Sequence, residues 1–235
     1  GKAIVDGVSF KIRAGEILGI AGVEGNGQAE ILNALMGIES ATGKVMFQDE
    51  DISKKSTRYR RDLGIGFIPE DRQRQALLLG APLWENRMLG HQTKAPNAKG
   101  FWLNPRGAKA DTKRIVAEYD VRTPSIDVNA SALSGGNQQK LIVGREMSGD
   151  PKLLIAAHPT RGVDVGAQAA IWDHIRNARQ AGLAVLLISA DLDELIGLSD
   201  SIKVLLRGKF VADADPATVT PQELGTAMTG AGRAA

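Results

Sequence analysis

Apolar residues in this chain fall into short unbroken runs and helix-spaced stripes, and the two kinds alternate. Residues 17–21, 152–156 and 184–189 are runs of strand length, of the type a strand buried on both faces requires. Residues 64–68, ended by Pro69, predict another strand, and residues 44–47 a short one. In residues 8–12, Val8, Phe10 and Ile12 alternate with Ser9 and Lys11, which predicts a half-buried strand before a turn at Ala14, Gly15 and Glu16. Helices are expected over 28–36, stopped by Gly37, and over 135–147. A further helix starts near Ala167 and places Ala167, Ile171, Ile175 and Ala178 on one face. Arg207 and Gly208, between apolar stretches 202–206 and 210–212, predict a hairpin.

Residues 76–131 are less regular and hold Pro82, Pro96, Pro105 and Pro124, with helical stretches near 84–89 and 108–119. They read as a helical lobe inserted between core strands. The organisation expected is one domain over 1–235, with 1–75 and 150–235 as the core and about 76–149 as the lobe. Buried strands alternating with helices argue for an α/β fold with a mostly parallel sheet. The tail, residues 230–235, is small and polar and is expected to fray.

Composition narrows the function classes. At 235 residues the chain fits one large domain, and 43% hydrophobic with 24% charged residues is a balance that builds a core. Aromatics are 4%, so that core is aliphatic. A net charge of +2 argues against a nucleic-acid partner, and Lys54, Lys55, Arg58, Arg60 and Arg61 read as a solvated helix face. The absence of cysteine excludes a disulfide scaffold and a thiolate metal site. No apolar run approaches the ~20 residues that span a bilayer. The chain has no initiator Met and enters a strand pattern almost at once, so it reads as a piece of a longer polypeptide.

Candidate chemistry begins at Gly22, Val23, Glu24, Gly25, Asn26, Gly27, Gln28, Ala29 and Glu30, between a strand and a helix. The spacing matches the phosphate-binding loop G-x-x-x-x-G-K-[ST], with Gln28 at the Lys position and Ala29 at the hydroxyl position. Glycines let backbone N–H groups turn inward around a phosphate, and the helix dipole favours an anion there. These backbone donors do not depend on Gln28, so weak phosphate binding is expected. Taken alone, the stretch equally describes a tight strand-to-helix turn. A second anion nest is expected at Leu133, Ser134, Gly135, Gly136, Asn137 and Gln138, where a serine and two glycines open a helix.

This second string resembles the ABC signature, LSGG followed by Asn or Gln. With a loop-like turn about a hundred residues upstream, it is similar to the ABC ATPase family over nearly the whole chain. The resemblance implies a P-loop NTPase fold: a RecA-like core, a small antiparallel β subdomain and an inserted helical subdomain. It also implies ATP as the cofactor. In the family an apolar strand ends in Asp-Glu-Pro-Thr, whose carboxylates orient Mg²⁺ and activate water. Here those positions are Ala157 and His158, followed by Pro159 and Thr160. The histidine expected after the next strand is Ala190, and the glutamine expected after Phe67, Ile68 and Pro69 is Glu70, a poor lone metal ligand. Asp164 stands where the family places an interface aspartate, and is also a good helix cap.

No catalytic position is intact by this comparison, and no metal site is expected. Gln28 with Ala29, Ala157, His158 and Ala190 all concern this domain's own phosphates, metal and water, whereas the retained signature would face ATP and Mg²⁺ held by a partner. The chain resembles the second half of fused ATPases of nucleoside (BMP-type) and simple-sugar importers. Gly25 to Gln28, Ile68 to Arg72, Leu133 to Lys140 and Pro159 to Asp164 carry that resemblance. It implies an N-terminal ABC half in the same polypeptide, transmembrane permease subunits, an extracytoplasmic substrate-binding protein acting indirectly, and a peripheral place on the cytoplasmic face of the membrane. A non-transport, regulatory nucleotide-binding protein of the ABC type is the alternative.

Overall fold

The computed structural model describes residues 4–231; the expected fraying over 230–235 therefore lies mostly outside the described residues. In chain order the elements are β1 (Ile17–Ala21), α1 (Gln28–Met36), β2 (Met46–Phe47), β3 (Glu50–Asp51), α2 (Thr57–Asp62) and β4 (Ile65–Ile68). A π-helical turn (Arg72–Ala76) precedes α3 (Leu83–Met88), the small hairpin β5 (Ala98–Lys99) and β6 (Trp102–Leu103), α4 (Pro105–Glu118) and α5 (Gly135–Met147). Then come β7 (Leu153–Ala157), α6 (Val165–Gln180), β8 (Ala184–Ser189), α7 (Leu192–Leu198), β9 (Ser201–Leu206), β10 (Lys209–Ala214) and α8 (Pro221–Thr229). The chain divides into two compact units. One holds residues up to Gly66, Lys152–His158 and those from Ala178 onward; the other holds Phe67–Pro151 and Pro159–Asn177. No helix among the described residues is long and apolar enough to cross a membrane.

The first unit is organised by a six-stranded sheet of order β10-β9-β1-β8-β7-β4. Pairs β1–β8, β1–β9 and β7–β8 are parallel, and β9–β10 is antiparallel. Every residue of β1 and β8 is buried, which is why both read as unbroken apolar runs. Helix α7 packs on β1 and β8, and α8 on β9. The fold is α/β with a mostly parallel sheet, as the alternation of runs and stripes requires.

Two expectations fail here. Residues 8–12 keep the alternation, with Val8, Phe10 and Ile12 partly buried and Ser9 and Lys11 exposed, but form no strand. Phe10 meets Phe210 edge to face at 5.9 Å, so the sidedness is satisfied by side-chain packing without a ladder. The basic run is not simply a solvated face either. Arg60 on α2 is 1% exposed. Its guanidinium donates to the carbonyls of Lys55 (3.0 Å), Ala34 (2.7 Å), Leu35 (2.6 Å) and Ser53 (2.9 Å). Two of these are last-turn carbonyls of α1, which lack the i+4 donor of the helix interior; that of Ala34 also accepts from the capping Gly37 N–H at 3.2 Å.

The second unit buries paired polar groups beside its apolar core. Asn86 accepts from Leu78 N–H (2.8 Å) and donates to the carbonyls of Leu78, Ala81 and Pro82. Arg145 on α5 donates to the carbonyls of Ala76 (2.7 Å) and Asn86 (3.1 Å), and Arg87 pairs with Asp111 at 2.6 Å. Helices α4 and α5 approach closely at Gly144, where a Cβ would lie 2.5 Å from Ile115 Cγ2. The Tyr119 ring then stacks on His174 of α6, with centroids 4.1 Å apart. Burial, with Glu118 adding to it, pushes the Tyr119 hydroxyl up to about 12; burial also holds His174 below its ordinary value, there against smaller opposing pulls from Glu118 and Asp173.

Arg60→Met should lower the unfolding free energy by about 2–4 kcal/mol, because buried carbonyls lose a charged donor. A denaturant midpoint unchanged from wild type would return Arg60 to the solvated face. His174 gives a pH signature. Its folded pKa lies below the unfolded one, so the unfolded chain binds the proton first. Stability is then full above the ordinary histidine range and falls as pH drops through it toward the lowered value. Melting temperatures between about pH 5 and 8 should show this loss, and His174→Phe should flatten it.

Candidate functional site

The turn after β1 is set by its glycines. Gly27 caps α1 at φ 111°, a conformation side chains rarely adopt, and a Cβ there would lie 2.8 Å from Val5 Cγ2. Asn26 ties the turn to the β9–β10 hairpin. Its side-chain oxygen accepts from Arg207 N–H (2.9 Å) and its carbonyl from Gly208 N–H (2.9 Å). Arg207 and Gly208 both have positive φ, as a two-residue hairpin turn demands.

Gln28 does not point away from this turn. Its side chain folds back into it, with Oε1 accepting from Asn26 N–H (3.1 Å) and Nε2 donating to the Val23 carbonyl (2.9 Å). That carbonyl also accepts from Asn26 Nδ2 (3.0 Å). Gly22 makes the room: a Cβ at this position would lie 2.5 Å from Gln28 Nε2 and 2.9 Å from the Leu205 carbonyl. The expectation that the backbone donors are independent of Gln28 is therefore corrected, because one of them is bonded to its amide.

The other positions on this unit follow suit. Ala157 ends β7 at 1% exposure, with a methyl and nothing to offer a cation. His158 has φ 48°, and its N–H donates to the Ile188 carbonyl at 2.8 Å. Ala190 is exposed, between buried Ser189, whose Oγ accepts from Asp191 N–H (3.0 Å), and Asp191, which caps α7. Among the described residues no group of three or more His, Cys, Asp or Glu is placed to hold a metal ion. With Ala29 and Ala157 where oxygen ligands would stand, the residues present do not fit a Mg²⁺ ion at this turn.

On the second unit the signature string opens α5. Ser134 caps the helix, its Oγ accepting from Asn137 N–H (3.4 Å) and Nδ2 (3.0 Å). Asn137 Oδ1 accepts from Arg122 N–H (2.8 Å). Leu133 and Gln138 are buried, and Gln138 Nε2 donates to the Ala130 carbonyl (3.1 Å). Ser134 itself is exposed, Gly135 half-buried and Gly136 buried. Asp164 caps α6, accepting from Ala167 N–H at 2.9 Å, and that bond is the first cause of its lowered pKa. Glu70, considered as a lone metal ligand, instead pairs with Arg161. Arg161 and Arg72, which donates to the Arg161 carbonyl at 2.6 Å, lie in stretches that carry the resemblance, but the sequence assigns neither a role; a partner about ninety residues away gives each one.

Known proteins resemble the chain in sequence and in fold. The chain is 43% identical over 224 residues to a guanosine import ATP-binding protein of Bacillus subtilis, covering 95% of this chain and 44% of the relative. It is 41% identical to a nucleoside import ATP-binding protein of Lactococcus lactis, covering 98% and 46%. The chain thus spans about half the length of these relatives. Among solved structures, an ATP-binding cassette of an ABC transporter in its ADP conformation superposes with a TM-score of 0.75 at 23% identity, covering 96% of this chain and 89% of that one. A dimeric cassette bound to ADP and phosphate gives 0.77 at 20%, covering 91% and 90%. These two establish the fold. The family profile described as ABC transporter matches residues 5–161, and the chain belongs to that family.

Proposed function

We propose that this chain is one nucleotide-binding domain of a two-cassette ATPase that powers nucleoside import. Its own ATP site is degenerate, and its signature completes the site of the partner cassette. The observation that carries this reading is the Gln28 side chain bonded inside its own turn. A loop serving a bound triphosphate needs its N–H groups free and a cation beside them. This one spends a donor on an amide and has no cation at that position. Relatives about twice as long support a second cassette in the same polypeptide. Names of relatives with 43% and 41% identity favour a nucleoside over the sugars named at 39% and 37%.

In this reading residues 1–75 and 150–235 form the ATP-binding core, and 76–149 the helical signature lobe. The working groups are Ser134, Gly135 and Gly136. Both bonds to Ser134 Oγ come from Asn137 donors, which leaves the hydroxyl proton to be given to an anion. With the N–H groups of Gly135 and Gly136 it presents preorganised donors to the γ-phosphate of ATP held by the partner, where charge spreads during transfer. Asp164 adds to the same face. Mg²⁺ belongs to the partner's site. The permease subunits hold the pair against the cytoplasmic face of the membrane, and a substrate-binding protein delivers solute on the other side.

The chain alone should hydrolyse no ATP above background, and Mg²⁺ should not tighten its affinity for ATP or ADP in calorimetry. Turnover in the ordinary enzyme range of ~1–10³ s⁻¹ would overturn the degenerate site. In the full transporter, Gly135→Asp adds a carboxylate at the opening of α5, where a Cβ would lie 2.5 Å from Arg72 Nη2, and so brings negative charge to the face proposed to meet the partner's phosphate. It should abolish transport-coupled hydrolysis while membrane assembly persists. Retained hydrolysis in that variant would remove the signature from the mechanism.

A further inference from the structure

The segment after β4 does more than replace a glutamine with Glu70. Asp71 fixes its backbone: Oδ1 accepts from Gln73 N–H (3.2 Å) and Arg74 N–H (3.1 Å), opening the π-helical turn. The residues on either side of Asp71 then reach the same stretch. The Glu70 carboxylate accepts from the Arg161 guanidinium. The Arg72 guanidinium donates to the carbonyls of Arg161 (2.6 Å) and Gly162 (3.4 Å). One residue holds the side chain of Arg161 and the other holds its backbone, so the grip is reciprocal.

This grip lies against the signature. A Cβ on Gly135 would be 2.5 Å from Arg72 Nη2 and 3.1 Å from the Gly162 carbonyl oxygen. A Cβ on Gly136 would be 3.3 Å from Asp164 Oδ2, and the other oxygen of that carboxylate caps α6. The guanidinium of Arg72 therefore fills the space between the first residue of α5 and the 161–162 backbone. Its Nε is buried without a hydrogen-bond partner, an energetic cost that a residue serving stability alone does not require.

We propose that Glu70 and Arg72 are positioning residues: they lock residues 161–164 onto the opening of α5, so that signature and interface loop meet the partner cassette as one rigid surface. The inference rests on the reading of the signature given above, but concerns different side chains. A lysine at position 72 keeps the charge, yet one ammonium cannot reproduce a planar fork that spans two carbonyls. A charge swap, Glu70→Arg with Arg161→Glu, keeps the outer pair and restores what either single change removes.

Two measurements test it. In the chain itself, hydrogen exchange at amides 161–164 and 135–137 should rise together, about tenfold, in Arg72→Ala and Arg72→Lys, while the rest of the second unit is unchanged. In the full transporter the same variants should lower kcat of transport-coupled hydrolysis about tenfold or more with KM for ATP nearly constant, as expected of lost alignment. The Glu70→Arg/Arg161→Glu pair should recover most of the kcat lost in Glu70→Arg. Unchanged exchange in both segments, or a loss expressed only in KM, would overturn the proposal. If Gly135→Asp abolishes hydrolysis but the Arg72 variants do not lower kcat, this inference fails alone. If Gly135→Asp is harmless, the reading of the signature fails first.

Discussion

Parallel pairing of β7, β8 and β1 is the constraint from which the rest follows. In register, Ala21 lies beside Ser189 and Ala157 beside Ile188, so three strands end along one line. A parallel sheet sends its connections off the carboxyl ends of its strands in the same direction, and chemistry in such folds collects there. The turn at 22–27, the bend at His158 and the loop at 189–191 all leave from this edge. The backbone thus keeps the architecture of a nucleotide site whatever side chains it carries. What differs is which polar groups remain available.

By that measure the two nests have opposite fates. Around Gly27 the polar groups answer one another: Gln28 with Asn26 and Val23, Asn26 with Arg207 and Gly208. These bonds occupy the Asn26 N–H and the Val23 carbonyl, while Gly27 gives α1 no side-chain cap. Around Ser134 the support comes through Gln138 and Asn137, and the serine itself stays exposed. At the start of α5 the exposed Ser134 stands beside Gly136, which is buried, and Gly135, against which Arg72 packs. The same buried–open distinction separates Arg60, whose hydrogens go to carbonyls of its own unit, from Ser134, whose hydroxyl proton is left to give.

Much of the fold was legible because a buried parallel strand has few ways to be written. The runs at β1, β7 and β8 and the stripe on α6 could belong to little else. Residues 8–12 show the limit: alternation reports which side faces inward, but a ladder needs a partner strand, and that depends on distant chain. The start of α8 is also written in the sequence, where Thr220 and Glu223 form a capping box around Pro221. Arg60 could not be read, because its burial depends on carbonyls of α1 that only the folded chain brings to it. The loss of lysine at Gln28 was visible in the sequence. The use of its amide as an internal ligand was not, since that requires the empty space at Gly22. Arg72 carried no signal of its own.

The strand order has a consequence for how this protein comes to exist. β1 precedes the other strands of its sheet in chain order, yet it lies in the middle, between β8 and β9. Its five buried residues wait for partners encoded far downstream, with the whole helical unit synthesised in between. Contacts so remote in sequence are slow to form, and an unpaired apolar strand is adhesive in the meantime. During translation the nascent chain therefore carries an open sheet centre until its last third emerges, and a ribosome stalled before β8 would release a product with no way to bury it.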